Sequence, residues 1–308
     1  MKIRLAVVAG ATAMAIAASL ANVGPANADT RDRAQGVLVT VTGNGSHARI
    51  SNDDVHPGWL NLKIQDATSP KPIGVNIVVV QLRHGYRLST LMADLAVEVA
   101  QNSQPPAAAA ATRDINKIAV ALGGGDRFGK TPFFRSDTIW LPGRGDYYVI
   151  NTSTATVPAV VGVLEARGRT VWEGAPHHSG TVSLGNGSAD TITLRGYMPE
   201  KGTIKVRNNG DSVHLLAISK VADTATDAEV SAEYAYFMMH GVPPTSDPVG
   251  LFGPPTAGTG SDAVSPGHYS LFSYNLPKGT YVLQCFVADD VTGIPHAFMG
   301  MHLIVHIG

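Results

Sequence analysis

The stretch Leu276-Pro-Lys-Gly-Thr-Tyr-Val-Leu-Gln-Cys285 decides the fold, because the chain holds it twice. Its counterpart is Leu141-Pro-Gly-Arg-Gly-Asp-Tyr-Tyr-Val-Ile-Asn151, with one extra residue. In both copies a turn built on Pro and Gly leads into a run of Tyr, Val, Ile and Leu, the composition of a β-strand. Two more pairs stand in the same order. Gly58-Trp-Leu-Asn-Leu-Lys63 parallels Gly202-Thr-Ile-Lys-Val-Arg207, each alternating apolar and polar residues as a half-buried strand does. Val75-Asn-Ile-Val-Val-Val80 parallels Val213-His-Leu-Leu-Ala-Ile218, a mostly apolar run suited to a strand inside a sandwich. The shared order predicts two related domains, over residues 36–170 and 180–308, joined near residues 168–180.

The remaining pattern fits the same plan. Residues 36–42, 138–141, 146–150 and 160–164 read as strands, and 181–184, 191–194, 268–274, 280–287 and 303–307 read likewise. Helical spacing is confined to 88–99, 115–122 and 228–239. Residues 105–112, Pro-Pro followed by five Ala and Thr, read as a low-complexity joint. Gly123-Gly-Gly-Asp126 reads as a loop without the Lys-Ser/Thr of a phosphate-binding glycine loop. Residues 241–267 read as a long stretch of Gly, Pro and Ser. Short strands separated by turn residues predict an all-β protein of two antiparallel Greek-key β-sandwiches with short helical insertions.

Composition agrees and excludes other classes. The chain has 308 residues with 44% hydrophobic and 15% charged, enough for a sizeable core and too few charges for a disordered polyelectrolyte. Lys and Arg total 23 against 24 Asp and Glu, a balance that argues against nucleic acid as partner. Lys2 and Arg4 precede an apolar run over residues 5–20, and Ala26-Asn27-Ala28 supplies small residues for cleavage. A secretory signal over residues 1–28 is expected, giving a secreted, extracellular or cell-envelope protein that begins at Asp29. Removing Lys2 and Arg4, with no acid in that segment, takes the net charge from −1 to −3. No later stretch is long and apolar enough to span a bilayer.

The lone cysteine, Cys285, excludes an intramolecular disulfide. Three readings stand: an inert buried thiol, an intermolecular bridge, or a metal-bound thiolate. Three neighbours in the strand plan favour the last. His214 starts an apolar strand, and His296 and Met301 follow on the loop after Cys285. One thiolate, two imidazoles and a weak axial thioether form the ligand set of a type 1 copper site.

At these residues the sequence resembles the cupredoxin family of plastocyanin, azurin and the copper domains of nitrite reductases. Asn208-Asn-Gly-Asp-Ser-Val-His214 is similar to the Asn-rich turn before the first histidine ligand. Pro277-Lys-Gly-Thr-Tyr-Val-Leu-Gln-Cys285 resembles the approach to the thiolate, and His296-Ala-Phe-Met-Gly-Met301 resembles the His-x-x-x-Gly-Met ending. The likeness covers roughly residues 180–308. It implies one copper ion held by His214, Cys285, His296 and Met301, and single-electron transfer with a redox partner protein. Met299 competes with Met301 in sequence, and the Gly-Met match favours Met301.

The departures are informative. Ten residues separate Cys285 from His296, a longer ligand loop than in the small electron carriers. Leu215 follows the first histidine where many relatives have Asn. Gln284 precedes the cysteine where multicopper enzymes have His, so no catalytic activity of that kind is expected. The first domain has Asn76 in the place of His214 and Asn151 in the place of Cys285, with no His/Met pair following. It is expected to bind no metal. Two other classes remain open: copper capture or delivery, and a metal-free extracellular binding module.

Overall fold

Alternation along the strands builds the two sheets. The computed structural model describes residues 35–308 except 44–46, 69–74, 101–103, 128–134, 154–156, 173 and 253–257. The signal sequence expected over residues 1–28 lies outside the described residues. The N-terminal half contains β1 (Gln35–Gly43), β2 (His47–Ile50), β3 (Asp54–Val55), β4 (Gly58–Thr68) and β5 (Val75–Leu82). Helices α1 (Leu88–Glu98) and α2 (Pro105–Ile118) follow, then β6 (Ala119–Arg127), β7 (Arg135–Leu141), β8 (Gly145–Asn151) and β9 (Ala159–Ala166). The C-terminal half contains β10 (Gly180–Gly187), β11 (Ala189–Gly196), β12 (Lys201–Gly210), β13 (His214–Lys220) and α3 (Asp227–His240). It closes with β14 (Gly258–Val264), β15 (Tyr269–Asn275), β16 (Gly279–Gln284) and β17 (His302–Ile307).

The strand order displays the internal repeat. One sheet runs β11-β10-β12-β15-β7-β4-β1-β2 and the other β17-β16-β13-β14-β6-β5-β8-β9-β3. Read from its middle outward, each sheet has the same order in both directions, with β1, β2, β4, β5, β6, β7, β8 and β9 matching β10, β11, β12, β13, β14, β15, β16 and β17. Each half is thus a sandwich of two sheets, and the halves share both sheets across a seam. At that seam β7 pairs with β15 and β6 pairs with β14, both antiparallel. The fold is all-β apart from its three helices and one 3-10 turn. Its sheets are mixed where antiparallel pairing was expected, because β1 with β4, β10 with β12, and β3 with β9 run parallel.

The cores follow from which face each strand buries. Val37, Val39 and Val41 of β1 and Leu60, Leu62 and Ile64 of β4 point into the N-terminal sandwich. Strand β5 is buried on both faces: Ile77 and Val79 enter that core, while Val78 and Val80 pack under the two helices. There Leu91 and Leu95 of α1 and Ile115 and Ile118 of α2 join Tyr281, Leu283, Cys285 and Met301 in one cluster. The helices of the N-terminal half therefore help enclose the core of the C-terminal half.

Three local readings are corrected. Residues 105–112 open helix α2, with Pro at its first positions where no backbone donor is needed. The helix expected to run to residue 122 stops at Ile118, and 119–127 form β6, with the expected glycine loop inside it. A Cβ on Gly124 would lie 1.8 Å from the Ile77 carbonyl oxygen, and one on Gly125 would lie 2.1 Å from Asp137 Oδ2. Glycine is needed in β6 because neighbours press against the strand. The stretch 241–267 contains β14, Gly-Thr-Gly-Ser-Asp-Ala-Val, on the other side of the same seam.

Candidate metal centre

Each site residue is held by its own local device. His214 opens β13 after a turn organised by Asn208, whose side chain is fully buried. Asn208 Nδ2 donates to the carbonyls of Ser212 and Val264, both at 2.7 Å, and its Oδ1 accepts the Gly210 amide at 2.8 Å. Cys285 follows the end of β16, whose Tyr281 hydroxyl donates to the Pro277 carbonyl at 2.7 Å. Tyr147 donates to Gly143 at 2.7 Å in the matching turn of the N-terminal half. His296 begins a single 3-10 turn over His296–Met299.

Backbone bonds lace the loop between them. The Ala297 amide donates to the Cys285 carbonyl at 2.6 Å and the Met301 amide to the His296 carbonyl at 2.9 Å. The Cys285 amide donates to the Met301 carbonyl at 3.3 Å. Gly300 has φ +103°, a conformation that turns the chain back from His296 to Met301 and that a side chain would strain.

The result brings His214, Cys285 and His296 together. Cys285 Sγ lies 3.7 Å from His214 Nδ1 and 3.6 Å from His296 Nδ1. The two rings stand 4.7 Å apart at 64°. All three residues are buried, and one ligand atom from each falls within 4.8 Å of the others. A first-row ion with bonds of about 2.0 Å to nitrogen and 2.3 Å to sulfur, at angles near trigonal, separates those donors by about 3.5–3.8 Å. The donor set fits a single soft or borderline ion. Met301 is wholly buried in the same cluster, whereas Met299 is 45% exposed and its sulfur accepts from Thr292 Oγ1 at 3.6 Å.

Burial sets the protonation of the metal-free site. It pushes the Cys285 thiol up to about 12 and His214 down to about 3, the neighbouring His296 adding to the second shift. His296 is also lowered by burial, against the pull of Asp190. Without a cation the three side chains are a thiol and two neutral imidazoles at pH 7, so binding a cation would release the thiol proton.

Several contributors were not legible in the motifs. Asp190 of β11 faces both histidines: its Oδ1 lies 3.8 Å from His214 Nε2 and its Oδ2 3.7 Å from His296 Nε2. The N-terminal half braces the site through its helices. Asn116 of α2 accepts the Val213 amide at 2.9 Å and donates to Ser212 Oγ at 2.9 Å, next to His214. Glu98 of α1 accepts the Ala288 amide at 3.0 Å and the Thr112 hydroxyl at 3.1 Å, and burial raises its pKa. Arg113 donates to the Asp290 carbonyl. No motif marks Asn116, Glu98 or Arg113, because each acts on the C-terminal loops across a sequence separation of 96 or more.

Other sequence candidates sit elsewhere. Gln284 accepts the Tyr234 hydroxyl and donates to Ser219 Oγ at 3.3 Å. His302 of β17 is covered by α3 and contacts Asp227 Oδ1 at 3.2 Å and Ser231 Oγ at 3.1 Å. Asn151 is buried, with its Oδ1 accepting the Ser153 amide at 3.0 Å. Among the described residues, the His/Cys/Asp/Glu groups able to hold a metal all lie in the C-terminal half.

No protein-family model matches the chain, and no curated protein matches it. Solved structures similar to it include a reduced auracyanin from Roseiflexus castenholzii, 18% identical, covering 42% of this chain and 94% of its own, with a TM-score of 0.25. A copper nitrite reductase from Nitrosomonas europaea is 8% identical over 89% of this chain and 93% of its own, with a TM-score of 0.22. A third, Lac15 from a marine microbial metagenome, is 12% identical over 82% of this chain and 62% of its own, with a TM-score of 0.23.

Proposed function

We propose that the protein is a secreted cupredoxin-like carrier of single electrons, holding one type 1 copper ion between His214, Cys285, His296 and Met301. The observation that carries the reading is the convergence of two buried Nδ1 atoms on one buried Sγ at 3.7 and 3.6 Å. An inert core thiol has no need of two imidazoles facing it, and one S–H satisfies only one of them. Copper, when bound, supplies a one-electron couple.

The chain does the rest. The laced loop from Cys285 to Met301 and the buried turn at Asn208 keep the donors in place, which limits rearrangement between oxidation states. The cluster containing Leu91, Leu95, Ile115, Cys285 and Met301 excludes water from one side of the thiolate. Phe286, Val291 and Met299 are exposed on the ligand loop and offer an apolar contact face to a redox protein. A capture or delivery role is less well supported, because His214, Cys285 and His296 are each no more than 1% exposed and rapid exchange needs an accessible ion.

Protein-film voltammetry tests this function together with copper exchange to a chelator. A reversible one-electron wave and slow release are expected. Fast release without a reversible wave would favour delivery over electron transfer.

A further inference from the structure

Each histidine of the centre turns its two nitrogens in opposite directions. Both Nδ1 atoms face Cys285, and both Nε2 atoms face one carboxylate, Oδ1 of Asp190 toward His214 and Oδ2 toward His296. We propose that Asp190 is a positioning residue of the copper centre, a single carboxylate that faces Nε2 of both imidazole ligands, favours the proton there by its charge and so leaves both Nδ1 lone pairs free for the metal. This inference rests on the copper reading above and extends it beyond the ligands themselves.

Imidazole chemistry gives such a group a role. A neutral imidazole has one N–H and one lone pair, so a ring that binds through Nδ1 carries its proton on Nε2. His214 Nε2 is buried without a hydrogen-bond partner at ordinary distance, and Asp190 at 3.8 Å is the carboxylate that faces it. The space beside that nitrogen is kept clear by two glycines. A Cβ on Gly210 would lie 2.7 Å from His214 Nε2, and one on Gly185 would lie 3.1 Å from it. Asp190 reaches the rings from the β10–β11 hairpin, an element that contributes no ligand, and its side chain is only 22% exposed.

The placement also has an electrostatic consequence. A Cu(II) ion, one thiolate and two neutral imidazoles leave one net positive charge, and Cu(I) leaves none. A carboxylate against both rings therefore favours the oxidised state and lowers the potential.

The test compares wild type with Asp190→Asn and Asp190→Glu. Cu(II) and Cu(I) affinities are measured by competition, the potential by voltammetry, and the protonated ring nitrogens by 15N NMR of the metal-free protein. In Asp190→Asn, Cu(II) affinity is expected to fall 10–100-fold, with Cu(I) affinity falling less. Each tenfold difference between the two states raises the potential by about 59 mV. The Nε2–H form of both rings, uniform in wild type, is expected to become mixed, and Asp190→Glu to restore part of the affinity.

If wild type binds copper, unchanged affinity, potential and tautomer in Asp190→Asn would overturn the role of Asp190 alone. Equal loss for both oxidation states with unchanged tautomers would make Asp190 merely structural. A Cys285→Ala protein that still binds one ion, and loses it with Asp190→Asn, would make Asp190 a ligand instead. A wild type that takes up no copper would remove the copper reading and this inference with it.

Discussion

At the scale of the residue, the centre depends on small groups as much as on its donors. Gly210 carries no positive φ, so alanine suits its backbone, yet its Cβ would press on His214 Nε2 at 2.7 Å. Gly210→Ala is expected to leave the metal-free fold intact and to weaken Cu(II) binding by roughly tenfold or more, because the His214 ring must tilt. Equilibrium dialysis and the circular dichroism of the metal-free variant separate the two effects. The convergence of His214, Cys285 and His296 was legible because each sits in or beside a short motif, the Asn-rich turn, the Pro-x-Gly-x-Tyr approach and the Gly-Met ending. Asp190 was not, since its relation to His214 arises from the β10–β11 hairpin folding over the turn at Asn208, a three-dimensional event without a local signature.

At the scale of the element, the α1–α2 hairpin makes the N-terminal half a brace for the candidate site. Asn116→Ala leaves the buried Val213 amide without its acceptor, a loss of about 1–3 kcal/mol, and removes the bond to Ser212. Urea unfolding is expected to show that loss, and hydrogen exchange to show reduced protection at Val213 ahead of other amides in β13. Unchanged exchange there would mean that the helix merely leans on the loop. The helix was half legible. Its apolar spacing placed residues 115–118 correctly, while Pro105-Pro-Ala-Ala read as a joint because proline breaks helices everywhere except their first turn. Strands β6 and β14 escaped notice for the opposite reason. Strand propensity reports side chains that fit a pleated surface, and at the seam the neighbours leave little room for any side chain at Gly123, Gly124 and Gly125.

At the scale of the whole molecule, two sandwiches share both sheets, so the seam governs how the halves hold together. Asp262 of β14 stands there, accepting the Ala263 amide at 2.6 Å and, across the seam, the Thr152 hydroxyl at 3.3 Å. Burial raises its pKa to about 6, although both hydrogen bonds oppose the shift. The folded state thus holds this proton more tightly than the unfolded chain does. Its contribution to stability is fully present below about pH 4 and is lost as the pH rises through about 6. Asp262→Asn keeps an acceptor and removes the charge. It is expected to be more stable than wild type at pH 8, by on the order of 3 kcal/mol, and indistinguishable from it at pH 4. Thermal unfolding across that range measures the difference, and a constant difference at all pH values would exclude the carboxyl as its source. The repeat that predicted two related units was plain in the sequence. The continuity of the sheets between them was not, because β6 and β14, one of the two strand pairs that join the halves, have little strand-like composition, and nothing local marks β7 and β15 as partners.

Whether a copper thiolate forms at Cys285 is read from the visible and electron-paramagnetic spectra of the protein titrated with Cu(II). An intense thiolate-to-copper band that saturates at one equivalent, with a narrow hyperfine splitting, is expected, and its complete absence in Cys285→Ala. A colourless wild type, or weak binding that survives loss of Cys285, would contradict it.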